Sequence, residues 1–568
     1  MQPFPVRDVS SWSVVRAETL GRDRKVWLRD PTVAADSLSR ESDWLFKPVV
    51  VPAHGIPQGE DWAEKIVSEL GCVLGVPCAE VDLAVRGGEP GLISRNVVPE
   101  GWARVLGAEL MGTVVPNDQE GRNNPPGRPG HSPELIAEAL SACHTAPGYE
   151  DLGAMGTFAG YLVLDAWVAN QDRHDQNWAV MVRSGTQELR LAPSYDHASS
   201  LAFSRLDSYR ERVLQSGGLK AFAERGRATR FEHDPERPRR EIPNPLSQSP
   251  IGRSTWPVRR PVDTGSPNCA RYSGQLLGRW STEPRICRRS ELDSWWSCLT
   301  STGGGCSMTA DVAAIPSAAA VDDVSSPVWD VGGSPGRLIV AWQNRITRLI
   351  EPVGVLEHGP PYRFRYLRRA GQVDGFLPFV SFRELERTCT SPNLFPLFSQ
   401  RIMSVRRPDF HEFLDQLHLS RESTPWEQLA RSEGRSSGDT VQVFPVPSVT
   451  EDGATTCRFL VHGIRHVADG LPPDLVAGQP LKLRDDPMNP VNPDAVQVCT
   501  GDGEPLGYVP DLLLEHLRAM KETAAVRLTV EHVNGPEAPP HLRLLARLEG
   551  RVPPGYEPMS GPGWETYS

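Results

Sequence analysis

The run Asn170-Gln171-Asp172-Arg173-His174-Asp175-Gln176-Asn177 sets carboxylates and amides at short spacing, directly after an apolar stretch. A carboxylate such as Asp172 can orient an attacking hydroxyl and take its proton. An amide five positions later, Asn177, can hold a divalent cation. Beyond it, Trp178–Val182 and Glu188–Leu191 predict a hairpin that brings Asp196 back to the same cleft as a second oxygen ligand. Phosphoryl transfer needs such a set, because its catalysis is mostly positioning and charge neutralisation. An Asp and an Asn at this spacing are common as turn formers, so the order along the chain carries the reading. Phe158–Trp167 predicts a buried helix that ends at the loop, and Leu191-Ala192-Pro193-Ser194-Tyr195-Asp196 follows the hairpin.

These two motifs resemble those of the HipA-like kinases, the Ser/Thr kinase components of bacterial toxin–antitoxin modules. Their catalytic loop reads N-x-D-x-H-x-x-N and their metal-binding strand end reads much like L-x-P-x-Y-D. Asn170, Asp172, His174 and Asn177 match the first pattern, and Asp196 matches the second. The resemblance implies a bilobal protein-kinase-like domain that uses ATP and Mg2+, with Asp172 as base and Asn177 and Asp196 as metal ligands. It also implies a protein substrate and an antitoxin partner.

A kinase-type fold needs a strand lysine for the phosphates and a helix acid to steady it. Lys47 sits in the apolar run Trp44–Val50, in a chain with only six lysines among its 60 basic residues. A lysine kept there points to a compact charge on phosphate oxygens. The apolar period over Glu60–Leu74 predicts a helix with Trp62, Ile66, Leu70 and Val73 on one face. Glu64 is the expected partner of Lys47, since the resemblance covers Trp62–Lys65. The base of the nucleotide is expected under the strand Glu80–Val85 and the segment Ile93–Val97, which makes Ser94 and Asn96 candidate contacts. Gly21–Lys25 has one glycine where a phosphate-covering loop would have three, and Lys25 either adds phosphate charge or begins a strand.

With 568 residues the chain is too long for one core, and its fold class reads as α+β multidomain. A kinase-like N-lobe is expected over 1–98 and a C-lobe over 99–233. Residues 234–335 are dense in Arg, Pro, Ser, Trp and Gly and nearly free of periodicity. They read either as a disordered connector or, by a slight preference, as out-of-frame translation. A β-rich region resembling the HipA N-subdomain is expected over 336–425, a linker over 426–450, and a tail over 551–568. Hydrophobic residues make up 39% and charged residues 23%, with no apolar run that would span a bilayer, so no membrane partner is expected. The N-terminus shows no export signal, and the ten cysteines lack C-x-x-C spacing. Both point to free thiols in the cytoplasm, without a zinc site. A net charge of −11 disfavours a broad nucleic-acid face.

Leu481–Pro490, Asn492–Val498 and Leu506–Pro510 carry a second pattern, which resembles the HIRAN domain, a small β-barrel, over 451–550. In helicase-linked members that fold captures single-stranded DNA 3′ ends. The resemblance makes Arg465, His466 and Asn489 the candidate DNA contacts. Val491 stands where the pattern has an aromatic and Asn492 where it has an acid, which removes a stacking platform. Two functions follow: a HipA-like Ser/Thr protein kinase with a HIRAN-like recruitment domain, or an inactive kinase-like protein whose HIRAN-like domain binds DNA ends or a protein.

Overall fold

Alternating apolar residues in short runs pair into four sheets in the computed structural model of the chain. It describes residues 4–21, 23–32, 40–52, 55–115, 127–224, 229–236, 336–344, 347–436, 440–464, 471–472, 474–535 and 538–567. The expectations for 237–335, and for Arg465 and His466, fall outside the described residues.

The first sheet holds β1 (Val6–Asp8), β2 (Ser13–Ala17), β3 (Val26–Arg29), β4 (Asp43–Pro48), β5 (Val81–Arg86) and β6 (Glu89–Arg95), in the order β1-β5-β6-β4-β3-β2. Lys47 therefore lies on an inner strand, between β3 and β6. The approach there is close, for a Cβ on Gly91 would sit 2.3 Å from the Lys47 carbonyl oxygen. Helix α1 (Glu60–Leu74) crosses between β4 and β5 and ends on Gly75 in the left-handed region. Its fully buried residues are Ala63, Glu64, Lys65, Val67, Ser68 and Gly71, whereas Trp62, Ile66 and Leu70 are only half-buried. The expected apolar face is thus rotated, because two charged residues of the buried stripe find partners inside: Glu64 with Lys47, and Lys65 with Asp82, Glu69 and the Val81 carbonyl.

Next comes a three-stranded antiparallel sheet of β7 (Trp102–Leu106), β8 (Ala179–Arg183) and β9 (Leu189–Leu191). Short helices α2 (Gly107–Met111) and α3 (Pro133–Ala139) and the longer α4 (Gly153–Trp167) pack beside it. Their shared core gathers Val67, Phe158, Tyr161, Trp178 and Leu191. A Cβ on Gly107 would meet the Trp178 ring at 2.3 Å, so α2 can start there only without a side chain.

The third sheet has the order β13-β12-β11-β10-β14, with β10 (Arg337–Gln343), β11 (Ile350–Glu357), β12 (Tyr362–Tyr366), β13 (Cys389–Ser391) and β14 (Val441–Pro445). Strand β14 and the helix Pro425–Arg431, which opens on a Thr424/Glu427 capping box, both lie inside the expected 426–450 linker or at its edge. That stretch is thus ordered, since β10 needs β14 to cover its open edge. The expected tail is ordered too, with Tyr567 N–H donating to the Tyr366 carbonyl.

The last sheet runs β15 (Ser448–Val449), β16 (Ala454–Leu460), β21 (Leu544–Arg551), β20 (Arg527–Val533), β17 (Pro480–Asp485), β18 (Val496–Cys499) and β19 (Pro505–Tyr508). A single bridge joins Tyr508 of β19 to His462 just past β16. Among the described residues no ladder closes this sheet into the expected barrel. The fold is mixed α/β with several sheets, and no helix among the described residues is long and apolar enough to cross a membrane. Cys78, Cys143, Cys389, Cys457 and Cys499 form no disulfide, whereas Cys72 is disulfide-bonded, unlike the expectation of free thiols throughout.

Candidate phosphoryl-transfer site

Strand β4 presents Lys47 and helix α1 presents Glu64 across a gap that both side chains fill. The Lys47 Nζ donates to the Glu64 carboxylate at 3.0 and 3.2 Å and to Asp196 Oδ1 at 2.9 Å. Burial disfavours the ammonium ion, yet the two carboxylates outweigh it and hold Lys47 protonated, above the ordinary lysine range. Burial also pushes Asp196 up, but Lys47 and Lys25 prevail and keep its carboxyl well below the usual range. Asp196 itself sits at φ 59°, a left-handed backbone that turns its carboxylate toward the lysine.

That turn is tied to the first sheet from behind. Ala79 N–H donates to the Ser194 carbonyl and Ser194 N–H to the Pro77 carbonyl, each at 2.8 Å. The segment carrying Asp196 therefore moves with α1 and β5, which fixes the three-way contact with Lys47.

Loop 170–177 is held by one buried cation. Arg173, 2% exposed, forms a two-pronged pair with Asp165 of α4 at 2.7 and 2.8 Å. The same guanidinium donates to the Asn177 carbonyl at 2.6 Å and to the Ser194 hydroxyl at 2.9 Å, so it bolts the loop to the strand end that carries Asp196. Asn170 completes the brace, giving its amide to Asp165 and accepting the Asp172 N–H. Neither Arg173 nor Asp165 was an expected functional residue. The available signal was Asp165 itself, an acid inside an apolar run that must find a buried partner.

Asn177 donates its amide nitrogen to the Asp172 carbonyl at 2.9 Å, which leaves its side-chain oxygen as the free ligand. His174 Nδ1 accepts the Gln176 N–H, so the ring proton belongs on Nε2, which lies 4.0 Å from Asp172 Oδ2. Burial lowers the pKa of His174 despite Asp172, Asp175 and Asp196, all close enough to act on it. Asp172 and Asp196 both lie within electrostatic reach of His174. The Asn177 side-chain oxygen and the Asp196 carboxylate are the hard donors that a divalent cation would use here. No group of three His, Cys, Asp or Glu residues suited to a metal occurs among the described residues, so phosphate oxygens and water would have to complete the shell.

The other expected residues fall in different places. Lys25 reaches toward the centre, and its charge acts on Glu64 and Asp196. Ser94 is buried in β6. Asn96 uses its side chain on the Arg40 carbonyl and the Val98 N–H, as a turn former does. Glu60, which was not expected, stands at the first turn of α1. Burial, then the negative charges of Asp23 and Asp196, raise it to about 7. A cavity of about 260 Å³ opens beside β7 and β8, but none of Lys47, Glu64, Asp172, Asn177 and Asp196 lines it.

In the C-terminal sheet, Asn489 accepts the Val491 and Asn492 N–H groups at 3.0 and 3.1 Å. Its side chain shapes its own loop. Arg465 and His466, the other two expected DNA contacts, lie outside the described residues.

No family model matches the chain, and no curated protein matches it either. Three solved structures are similar over parts of it. The Helicobacter pylori proinflammatory kinase CtkA is 18% identical at a TM-score of 0.31, over 38% of this chain and 69% of that one. HipA of the Shewanella oneidensis toxin–antitoxin system, solved with HipB and operator DNA, is 15% identical at 0.22, over 45% of this chain and 56% of that one. The HIRAN domain of human HLTF is 16% identical at 0.14, over 18% of this chain and 83% of that one. At such scores function has to be argued from the side chains.

Proposed function

We propose that residues 1–233 form a HipA-like protein kinase module that transfers the γ-phosphoryl group of ATP to a hydroxyl of a protein. The observation that supports this best is Lys47 bridging Glu64 and Asp196, with the Asp172 loop bolted to the same strand end by Arg173. Lys47 is poised for phosphate oxygens, and Glu64 keeps it extended when Asp196 turns to a cation. Asp172 orients the hydroxyl and takes its proton. Mg2+ bound by Asn177 and Asp196 would neutralise the phosphates. An antitoxin-like partner and recruitment through the C-terminal sheet to a protein complete the reading. Single-stranded DNA is the less favoured partner of that sheet, because Asn489 is committed to its own loop.

The test is Mg-dependent binding of ATP and transfer of labelled phosphate to the protein itself or to a lysate. Asp172→Asn should lower transfer by about 10²–10⁴-fold, the usual worth of a positioned base, with nucleotide affinity kept. Transfer at the wild-type rate in that variant would remove Asp172 from the chemistry. Absence of Mg-dependent ATP binding in the wild type would favour the inactive, binding-only alternative.

A further inference from the structure

One cation faces the proposed base from outside the motifs. Arg230 sets its guanidinium 2.5 Å from Asp172 Oδ1, which is itself buried. The contact is an ion pair without hydrogen-bond alignment. No other described residue receives a hydrogen bond from this guanidinium, whose side chain is 26% exposed. Its remaining N–H groups therefore have no acceptor among the described residues, and its charge lies within electrostatic reach of His174.

The backbone beneath Arg230 is fixed. The His131 ring donates from Nδ1 to the Arg230 carbonyl at 2.7 Å and accepts from the Trp178 indole on Nε2 at 3.2 Å. Both contacts suit one neutral tautomer, which burial favours. Phe231, 5% exposed, stacks on the same ring with centroids 4.9 Å apart, and Glu232 N–H donates to the His131 carbonyl. Trp178 follows Asn177 directly, so the residues that anchor Arg230 also anchor the metal-binding end of the loop. A removable plug would lack such anchoring.

Charge adds to this. Lys47 is already engaged by two carboxylates, while the negative charges of Asp172, Asp175 and Asp196 all act on His174. A phosphoryl group crossing to a hydroxyl beside Asp172 needs a further positive partner on that side. We infer that Arg230 is this partner: a cation supplied by the chain itself that holds the base with one edge and the transferring phosphoryl oxygens with the other. The hydroxyl oxygen forms its bond to the γ-phosphorus, the bond from that phosphorus to the β–γ bridging oxygen breaks, and ADP leaves with the electron pair. The hydroxyl proton goes to Asp172, through Oδ2, the oxygen not paired with Arg230.

This inference rests on the kinase reading, and the experiment separates the two. Binding of Mg·ADP is measured with and without aluminium fluoride, a mimic of the transferring phosphoryl group, on the full chain and on Arg230→Gln and Arg230→Lys. Aluminium fluoride should tighten ADP in the wild type. Arg230→Gln should abolish the tightening and slow transfer about 100-fold or more, while affinity for Mg·ADP alone stays within about two-fold. Arg230→Lys should keep part of the tightening, since it supplies charge without the planar fork. Tightening unchanged in Arg230→Gln, or faster transfer, would overturn the inference and leave the kinase reading standing. Should Arg230→Gln melt early, Arg230→Lys decides: reduced tightening supports the bridge, and wild-type tightening overturns it. A wild type that neither binds Mg·ADP nor transfers phosphate would sink the kinase reading, and this inference with it.

Discussion

The loop around Asp172 and the loop around Asn489 are both rich in Asp and Asn, yet they use these residues in opposite ways. In the first, the holding is done by buried Arg173, at a position the loop motif leaves open, and by Asp165 on the preceding helix, so the Asn177 side-chain oxygen is kept for something else. In the second, Asn489 binds Val491 and Asn492, Asn492 binds Asp511, and Asp486 accepts Tyr508 and Gln497. There the polar valences are spent on the loop itself. The contrast teaches that polar composition alone marks neither a site nor a turn. What separates them is whether a second layer of residues carries the cost of positioning.

The sharpest way to break that contrast is Arg173→Met. It strands the Asp165 carboxylate, 2% exposed, without its cation. Removing one member of a buried pair costs about 3–5 kcal/mol, so the first unfolding transition should drop by several degrees and phosphate transfer should vanish. Adding Asp165→Leu should restore part of the stability, because two neutral groups then replace one orphaned charge, but it should not restore transfer. The matched change in the other region is Arg484→Met, an exposed residue whose partner is the half-buried Gln497. It should alter stability by less than about 0.5 kcal/mol. Equal effects from the two changes, read by calorimetry, would erase the distinction.

A second prediction uses pH. Glu60 is raised to about 7 from an ordinary value of 4.5 by burial, Asp23 and Asp196. Between those two values the folded protein binds more protons than the unfolded chain, so stability falls as pH rises through that window. The folded state keeps its full share below the unfolded value and has lost the advantage above about 7. Glu60→Gln should flatten this slope, worth of order 2 kcal/mol, in melting curves taken from pH 5 to pH 8. Mg2+ should also flatten it, since a cation on Asp196 relieves the repulsion. A slope unchanged in Glu60→Gln would place Glu60 outside the charged cluster.

Local sequence carried the elements around the proposed site, the strand of Lys47, the helix of Glu64 and the hairpin before Asp196. The spacing of Asp172, Asn177 and Asp196 and the apolar strand around Lys47 are properties of short segments, and period and motif can reveal them. Arg230 and His131 were not legible in this way, because their roles arise from contacts between distant segments: Arg230 meets Asp172 across 58 positions of chain and His131 meets Arg230 across 99. The 426–450 region misled for a related reason. Its polar stretch reads as a linker, but β14 gains its order from pairing with β10, about a hundred residues earlier. Asn96 and Asn489 carry a further ambiguity, since both make local turn hydrogen bonds and an amide that caps a turn and one that binds a ligand have the same letters around them.

The smallest predicted effect bears on that last ambiguity. Asn489→Ala removes two neutral hydrogen bonds, to the Val491 and Asn492 N–H groups, and a long contact of 3.5 Å to Asp486. The site is only half-buried, so water replaces part of the loss, and a net cost of about 1 kcal/mol is expected. It should appear in the unfolding of the C-terminal sheet, with Mg·ADP binding and phosphate transfer unchanged. Affinity for a 3′-ended oligonucleotide, measured by fluorescence anisotropy, should not respond either. If that affinity instead fell several-fold while the melting curve stayed put, Asn489 would be a ligand contact and not a turn former. The two loops would then differ in degree of exposure and no longer in kind.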